Sequence, residues 1–512
     1  MLFVVYIDDT GKKTQIYYAK LLPIKIRLLL SDSKEPKTKS FKLRKFPEDN
    51  NKKTSILLDF YKNMKLQTSF ANAELLSEEE LRKREVLENI TFSITKYGSN
   101  ITIDDLFTQD EIYVYAKIKG INALQPLLEI PENIHIAEKV DVNVTVNDVK
   151  FYGSIQRIRS KEKTELYVGK SVCITFYHKG QNMHVKFKPT DVLKDALVDI
   201  PFILALRDYE KVGFNGTVLA LDGIKQTYSL EKIRILKNNL SYFQRVAELF
   251  ETLRLDMNCD LSKMNVEDKI NTRRLFDAIL EGKEVSGLKE NIPIVVTINY
   301  IHTKIALVFS PKDKPGTYII TDYFNDNTFQ LFHEIDGEKI PTSKFSIMHA
   351  ENFLELGNVN YDTIIESFVQ HIEEPLCLET ANQILLEMLL AYDKSQDKKS
   401  DILDYALKLS EWILENTVSE TELYIRKLNY FQVIKRKYPL TDIQTQELLE
   451  LTENISIEDK NQELQLKIGI NLLLDNQSMA EFYYKKLSKD IQKWFQEFPI
   501  FRFWKDKSKL KE

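Results

Sequence analysis

The chain of 512 residues has few of the residue types that build disulfide-stapled or metal-bound folds. Its three cysteines, Cys173, Cys259 and Cys377, lie far apart and are odd in number. This spacing fits neither a disulfide framework nor a zinc knuckle, and it is typical of a reducing compartment. We therefore expect a cytoplasmic protein without a resident metal or cofactor.

The sequence also lacks a phosphate-binding loop and a membrane segment. Among its 15 glycines, Gly213 and Gly216 have neither the GxGxxG spacing nor a following Lys-Ser/Thr pair. No stretch approaches the roughly 20 apolar residues that cross a bilayer, and the apolar N-terminus lacks the basic region and cleavage site of a signal peptide. The net charge of −5 gives no overall attraction to nucleic acid or to an anionic membrane. We expect a soluble protein that does not bind membranes.

What the sequence has is enough apolar residues for several hydrophobic cores. Hydrophobic residues make up 43% and charged residues 29%, a balance that is typical of globular proteins. Single cores stop growing at roughly 250 to 300 residues, so the length predicts more than one domain. We expect a multidomain α+β protein with four segments: an incomplete α/β sheet at 1–95, a β-rich module at 96–225, a mixed α/β segment at 226–372 and an all-α domain of helical hairpins at 373–512.

The first segment opens with the apolar run Leu2–Ile7, which ends at a turn containing Asp8 and Gly11. Such a run predicts a strand that is buried on both faces of a sheet. Since no earlier strand precedes it, we expect its neighbour to be a later strand, an upstream portion of the protein or a partner chain. The other elements predicted in this segment are strands at Gln15–Tyr18 and Lys39–Phe46, a helix at Thr54–Met64 with Leu57, Tyr61 and Met64 on its buried face, and a helix that begins with the capping box Ser77-x-x-Glu80 and runs toward Asn89.

The later segments follow different periods. Alternation of period two predicts an antiparallel meander or a small barrel from strands at Ile112–Tyr115, Val140–Val146, Val149–Ile158, Cys173–His178 and Met183–Lys188. Next come a long helix after Ser229 and strands at Ile294–Ile298, Lys304–Phe309 and Tyr318–Asp322. Helical stripes dominate from Tyr361 onward, and Leu466–Leu474 and Met479–Leu487 predict a tetratricopeptide-like helical hairpin, with Gly469 and Ala480 at its contact.

Three groups of residues have the types, although not the spacing, of catalytic or metal sites. Asp110 and Glu111 lie farther from Lys117 than the spacing of two residues that separates acid and lysine in metal-dependent nucleases. We therefore interpret these three residues as part of a solvated strand edge. His178 and His184 flank a turn at Gly180-Gln181, but no Asp, Glu or Cys follows at metal-ligand spacing. Asp322 and Asp326 end a predicted strand, and we interpret them as turn residues.

A basic group gives the candidate site. Arg157 and Arg159 leave one predicted strand, and Lys186 and Lys188 share a face of the next hairpin. Aligned cations on a β-rich module, with Phe176 nearby, are typical of proteins that track a phosphate backbone and stack bases. A solvated outer face of the sheet predicts the same lysines, and we favour that interpretation.

The opening Phe3–Ile7 and the segment Ile16–Tyr18 resemble the closing strands of a restriction-endonuclease-like domain found in bacterial proteins. The stretches Leu390–Asp393 and Ala406–Trp412 look like the accessory region that follows that domain. The resemblance implies a role in bacterial defence against phage. The family's metal-binding acid and its lysine-bearing strand would lie upstream of the first residue, so no catalytic position is carried over.

Together these observations predict a non-enzymatic sensing or scaffolding component of a bacterial defence system, which binds protein or nucleic acid. Its partner is expected to be another protein or an upstream domain that pairs with the N-terminal strand, and an oligomer is compatible with this. The alternative is a magnesium-dependent nuclease whose active site is completed by upstream residues or by a partner chain.

Overall fold

A computed structural model describes residues 1–505 of the chain except for 32–37, 39, 72, 74, 99, 103–104, 109–110, 122, 128–134, 180–182, 228, 288–291, 328, 396–399 and 456. The chain forms two compact units. Unit 1 comprises Met1–Thr190 and Val198–Ile233, and unit 2 comprises Asp191–Leu197 and Arg234–Glu512. The predicted mixture of helix and sheet, with several sheets and a helical C-terminal region, is confirmed. The finer division into four segments stays a prediction.

Unit 1 contains most of the strands. Its elements, with the two helices that continue into unit 2, are β1 (Leu2–Ile7), β2 (Thr14–Ala19), α1 (Pro23–Ser31), β3 (Arg44–Lys45), α2 (Asn50–Thr68), α3 (Glu78–Lys83), β4 (Leu87–Ser93), α4 (Asp105–Thr108), β5 (Tyr113–Ile118), β6 (Leu124–Pro126), β7 (Ile136–Val146), β8 (Val149–Arg159), β9 (Lys163–Val168), β10 (Val172–Tyr177), β11 (Met183–Phe187), α5 (Leu193–Tyr209), β12 (Lys211–Phe214), β13 (Thr217–Ala220), α6 (Ile224–Thr227) and α7 (Leu230–Thr252).

The strands described in unit 1 form antiparallel sheets with the orders β1-β2-β3, β4-β5-β6 and β11-β10-β9-β8-β7-β12-β13. The predicted meander is the run from β7 to β11, in which each strand pairs with the next along the chain. Helix α5 was not predicted, because its apolar residues recur on every side and show no single stripe. The helix after Ser77 has its capping box but ends at Lys83, and β4 follows where we expected helix.

Unit 2 combines one four-stranded sheet with helices. Its further elements are α8 (Val266–Leu275), β14 (Val285–Ser286), β15 (Ile294–Tyr300), β16 (Thr303–Pro311), β17 (Thr317–Asp322), β18 (Leu331–Ile335), β19 (Glu338–Thr342), α9 (Ala350–Glu355), α10 (Ile364–Val369), α11 (Cys377–Lys394), α12 (Ser400–Glu415), α13 (Glu420–Lys437), α14 (Asp442–Asn454), α15 (Lys460–Leu473), α16 (Gln477–Tyr484) and α17 (Lys489–Phe495). The sheet has the order β14-β17-β16-β15, and β18 pairs with β19.

Hydrophobic cores stabilise unit 2. One of those among the described residues joins the sheet to helices α9 to α12, and another lies among α13 to α17. The predicted helical hairpin is α15 and α16, but its register on α16 was wrong. Ala480 and Tyr484 are buried where we expected Met479 and Tyr483, because α16 begins at Gln477. Gly469 faces Leu428 of α13 rather than Ala480, since a Cβ at that position would lie 2.7 Å from Leu428 Cδ2.

Candidate functional site

Helix α2 has its polar side inside and its apolar side outside. Its buried residues are all polar: Asp59, Asn63 and Gln67 recur every four positions and form one face of the helix. The residues predicted as its buried face are exposed instead, with Leu57 at 47%, Tyr61 at 51% and Met64 at 37%. The prediction of a helix was right and the prediction of its buried face was wrong.

A chain of hydrogen bonds explains why the polar face is inside. Lys20 Nζ donates to Asp59 Oδ2 at 2.5 Å, and Asn63 Nδ2 donates to Asp59 Oδ1 at 3.0 Å. Tyr115 Oη donates to Asn63 Oδ1 at 2.7 Å and accepts from Gln67 Nε2 at 3.1 Å. Burial raises the pKa of Tyr115 to about 12, so its hydroxyl stays protonated and keeps donating. Because each buried polar group has a partner, the network avoids the large cost of unpaired buried groups.

The apolar strand β1 is also exposed, so the predicted burial of both its faces was wrong. All six side chains from Leu2 to Ile7 are between 36% and 58% exposed. Of the neighbours predicted for β1, the structure shows a later strand: β1 pairs with β2 along its whole length. The strand lies at the edge of its sheet, and within the described residues only Phe46 makes a ring contact with it, at 5.3 Å between ring centroids. The predicted strand Lys39–Phe46 is reduced to Arg44–Lys45, and Lys39 is outside the described residues.

The hydrogen-bond pattern shows which groups of β1 face outward. Asp8 N donates to Lys13 O at 3.0 Å, and these two residues continue the register that pairs Ile7 with Thr14. In an antiparallel pair, hydrogen-bonded and non-hydrogen-bonded positions alternate. Val4 and Tyr6 therefore bond to β2, and the backbone N–H and C=O groups of Phe3, Val5 and Ile7 point to the free edge.

The four cations of the predicted nucleic-acid site do not lie together. Arg157 is paired across the sheet with Leu166, and Lys186 is paired with Cys173. Residues that lie directly opposite each other in antiparallel strands share a face of the sheet. The register through β9 and β10 therefore places Arg157 and Arg159 on one face of the sheet. Lys186 and Lys188 lie on the other face.

The two arginines also have acidic partners. Arg157 Nε and Arg159 Nε lie 2.9 Å and 3.2 Å from Glu138 Oε1, and these cations hold the pKa of the Glu138 carboxyl below its usual range. Lys186 and Lys188 are exposed. Nucleic-acid binding by these four residues stays a prediction.

The candidates Lys117, His178 and His184 each have a neighbouring residue as a partner. Lys117 Nζ lies 3.0 Å from Glu88 Oε2, while Asp110 is outside the described residues. His178 bonds to Thr164 Oγ1 at 3.0 Å and His184 is paired with Thr175; their connecting turn is outside the described residues. Across the described positions, no group of three or more His, Cys, Asp or Glu side chains is placed to hold a metal ion.

Asp322 ends β17 and is buried in a polar network of unit 2. It accepts hydrogen bonds from the Arg254 guanidinium and from Asn358 Nδ2, the latter at 2.7 Å. Asn358 also bonds to the backbone of Ala306 through both of its side-chain polar atoms. Burial raises the pKa of Asp322, and Arg254 opposes that shift. The network ties the end of the sheet to the segment after α9, which is a structural role.

A cleft of unit 2 with a volume of about 1310 Å³ contains Cys259 and His302. Burial and neighbouring aspartates raise the pKa of the Cys259 thiol. The thiolate is the nucleophilic form of cysteine, so a raised pKa opposes nucleophilic catalysis here.

Comparison with known proteins gives no relative: no family model, no curated protein and no solved structure matches this chain. None of the helices in the described part of the chain is long and apolar enough to cross a membrane. The features that stand out are the exposed apolar side chains of β1 and those on the outer side of α2. Sequence reasoning found both the strand and the helix but predicted the wrong buried face of the helix, although the recurrence of Asp59, Asn63 and Gln67 was a signal for a polar network.

Proposed function

We propose that this chain is a non-enzymatic scaffolding protein that assembles through the free edge of β1. The observation that supports this most is the combination of a strand edge that no described strand pairs with and six exposed, uncharged side chains. Natural proteins protect such edges with charges, proline, bulges or a covering element. β1 has no charge and no proline between Leu2 and Ile7, so its edge is open to another strand.

The occupant that fits this edge is β1 of a second copy. Outward-facing backbone groups must meet outward-facing groups. Among the registers that satisfy this, the one that pairs all three outward-facing residues places Val5 opposite Val5 of the second copy and Phe3 opposite Ile7 of the second copy. This pairing is symmetric about a two-fold axis through the Val5 pair, and a closed dimer requires such symmetry. It contains no like-charge contact, and every cross-strand pair between residues 3 and 7 is apolar or aromatic.

The place of this dimer in a bacterial defence system rests on the resemblance of the N-terminal strands and of two helical stretches to defence-associated proteins. A phage-challenge assay tests it directly. Bacterial cells that express the wild-type chain should survive infection better than cells that express the Val5→Lys variant. Equal survival would contradict the link between assembly and defence.

The assembly itself is tested by light scattering coupled to size exclusion. We expect a dimer for the wild-type chain and a monomer for Val5→Lys, because two like charges would meet at the two-fold axis. Val418→Lys is the matched control, since Val418 is 98% exposed and lies far along the chain in unit 2. A mixture of Val5→Lys with Val5→Glu should form the dimer again. A monomeric wild-type chain, or a dimer that survives Val5→Lys, would overturn the proposal.

A further inference from the structure

The five strands from β7 to β11 have one covered face and one open face. The covered face carries the buried residues Ile155, Val168, Val172 and Ile174. Helix α5 packs near them, since the ring centroid of its Phe202 lies 5.2 Å from that of Phe151 in β8. Antiparallel sheets commonly pack one face on a core and leave the other in water. The face that carries Lys186 and Lys188 is therefore the outer face of these strands.

One row of directly opposed residues crosses all five strands on the outer face. Its members, in order from β11 to β7, are Lys186, Cys173, Tyr167, Gln156 and Lys139. Neighbouring strands lie about 4.8 Å apart, so the backbone of Tyr167 is about 10 Å from the lysine at each end of the row. The row therefore places an aromatic ring between two cations.

Tyr177 of β10 supplies a second aromatic ring on the same face. It is paired with Lys163 of β9, which lies four residues before Tyr167 on that strand. A strand rises about 3.4 Å per residue, so the backbones of the two tyrosines are about 14 Å apart. Tyr177 is 46% exposed, and Tyr167 is partly exposed. The two rings are far enough apart to stack on different bases of one strand.

The outer face has an excess of positive charge. Lys163 Nζ lies 2.7 Å from Glu165 Oε1, so these two charges neutralise each other. The exposed lysines are Lys139, Lys186 and Lys188, and none of them has an acidic partner among the described residues. Asp141 is the other acid in the regularly paired part of this face. The face is thus locally positive although the whole chain has a net charge of −5, and a local excess of this kind attracts polyanions.

We propose that this outer face binds single-stranded nucleic acid through Lys139, Tyr167, Tyr177, Lys186 and Lys188. The lysines neutralise phosphates, and the tyrosine rings stack on bases, which are accessible in a single strand but not in a duplex. Of the four cations that the sequence suggested for such a site, the face uses the two lysines and leaves out the two arginines, which lie on the opposite face. The surface belongs to a different sheet from β1, so it gives the proposed scaffold a second kind of partner.

Fluorescence anisotropy of the full chain with labelled oligothymidylate and oligouridylate of about 20 nucleotides tests the proposal. We expect binding at low salt, and three phosphate contacts predict a slope of about −2 for the logarithm of the binding constant against the logarithm of the salt concentration. A duplex of the oligothymidylate should bind at least about fivefold more weakly, because its bases are already stacked. Inorganic polyphosphate should likewise compete less well than the unlabelled strand. No binding of either single strand at low salt, or equal binding of duplex and single strand, would overturn the proposal.

Matched variants locate the site. Tyr167→Ala and Tyr177→Ala should each weaken binding at least about fivefold by removing a stacking ring, and Lys186→Gln should reduce the salt slope by about 0.7. The controls are Tyr61→Ala and Lys62→Gln on the exposed side of α2, which should bind as the wild type does. If Tyr167→Ala fails to fold, the half-exposed Tyr177 and Lys186 decide. Unchanged binding in folded Tyr177→Ala and Lys186→Gln would place the nucleic acid elsewhere and contradict the proposal.

Discussion

The ammonium of Lys20 and the carboxylate of Asp59 form an ion pair at 2.5 Å with both side chains at most 5% exposed. Taking two charges out of water is expensive, and an ion pair in the interior is tolerated only when further hydrogen bonds complete it. Asn63 supplies that completion from the next turn of α2. Because Asp59 is held inside by this pair, the polar face of α2 is the buried one. The apolar face with Leu57, Tyr61 and Met64 is therefore exposed.

Removal of one partner of this pair should cost more than removal of both. Asp59→Leu leaves the buried Lys20 ammonium unpaired and should lower the free energy of unfolding by about 3–5 kcal/mol. The double variant Lys20→Met with Asp59→Leu should recover most of this loss. Urea denaturation of the two single variants and the double variant gives the coupling energy, and additive effects would show that the pair is not coupled.

The exposed face of α2 should tolerate polar substitution. Tyr61→Ser should change the free energy of unfolding by no more than about 0.5 kcal/mol, because the side chain is half exposed. Tyr115→Phe is the matched control for a buried tyrosine, and it should cost about 1–3 kcal/mol because it removes the hydrogen bonds to Asn63 and Gln67. A loss of several kcal/mol in Tyr61→Ser would mean that this face is buried after all.

Gly169 lies in a turn with φ of +60°, and a Cβ there would be 2.2 Å from Asp199 Oδ1 and 2.6 Å from Tyr152 Oη. Gly169→Ala should therefore break the contact between Asp199 and Tyr152 in addition to straining the backbone, and cost more than about 2 kcal/mol. Gly216→Ala is the control, because Gly216 also has a positive φ but has open space around it. It should cost about 1 kcal/mol. Equal melting temperatures for the two variants would contradict the crowding at Gly169.

The helical hairpin of unit 2 gives the last prediction. Leu473 is 1% exposed, and Leu473→Asp should unfold at least the region from about residue 459 to 504, because it buries a charge without a partner in addition to the about 2–5 kcal/mol lost with the side chain. Lys485→Ala should be nearly neutral, since its ion pair with Glu481 is on an exposed helix surface. Thermal denaturation followed by circular dichroism compares them. An unshifted transition in Leu473→Asp would show that Leu473 is not in the core.

The sequence by itself determined the local elements of this protein. Period-two alternation predicted strands β7, β8, β10 and β11 close to their bounds, and the capping box at Ser77 predicted the start of α3. These predictions succeed because period and capping depend on residues a few positions apart.

The tertiary structure alone decided which faces are buried in unit 1. In α2, the apolar residues that begin with Leu57 and the polar residues that begin with Asp59 each recur at helical spacing, so the sequence offers two candidate buried faces. The polar face is buried because it bonds to Lys20 and Tyr115, which are remote in sequence. The exposure of β1 was also decided by the tertiary structure. Its apolar run predicts burial, but burial requires a covering element that the run itself does not specify.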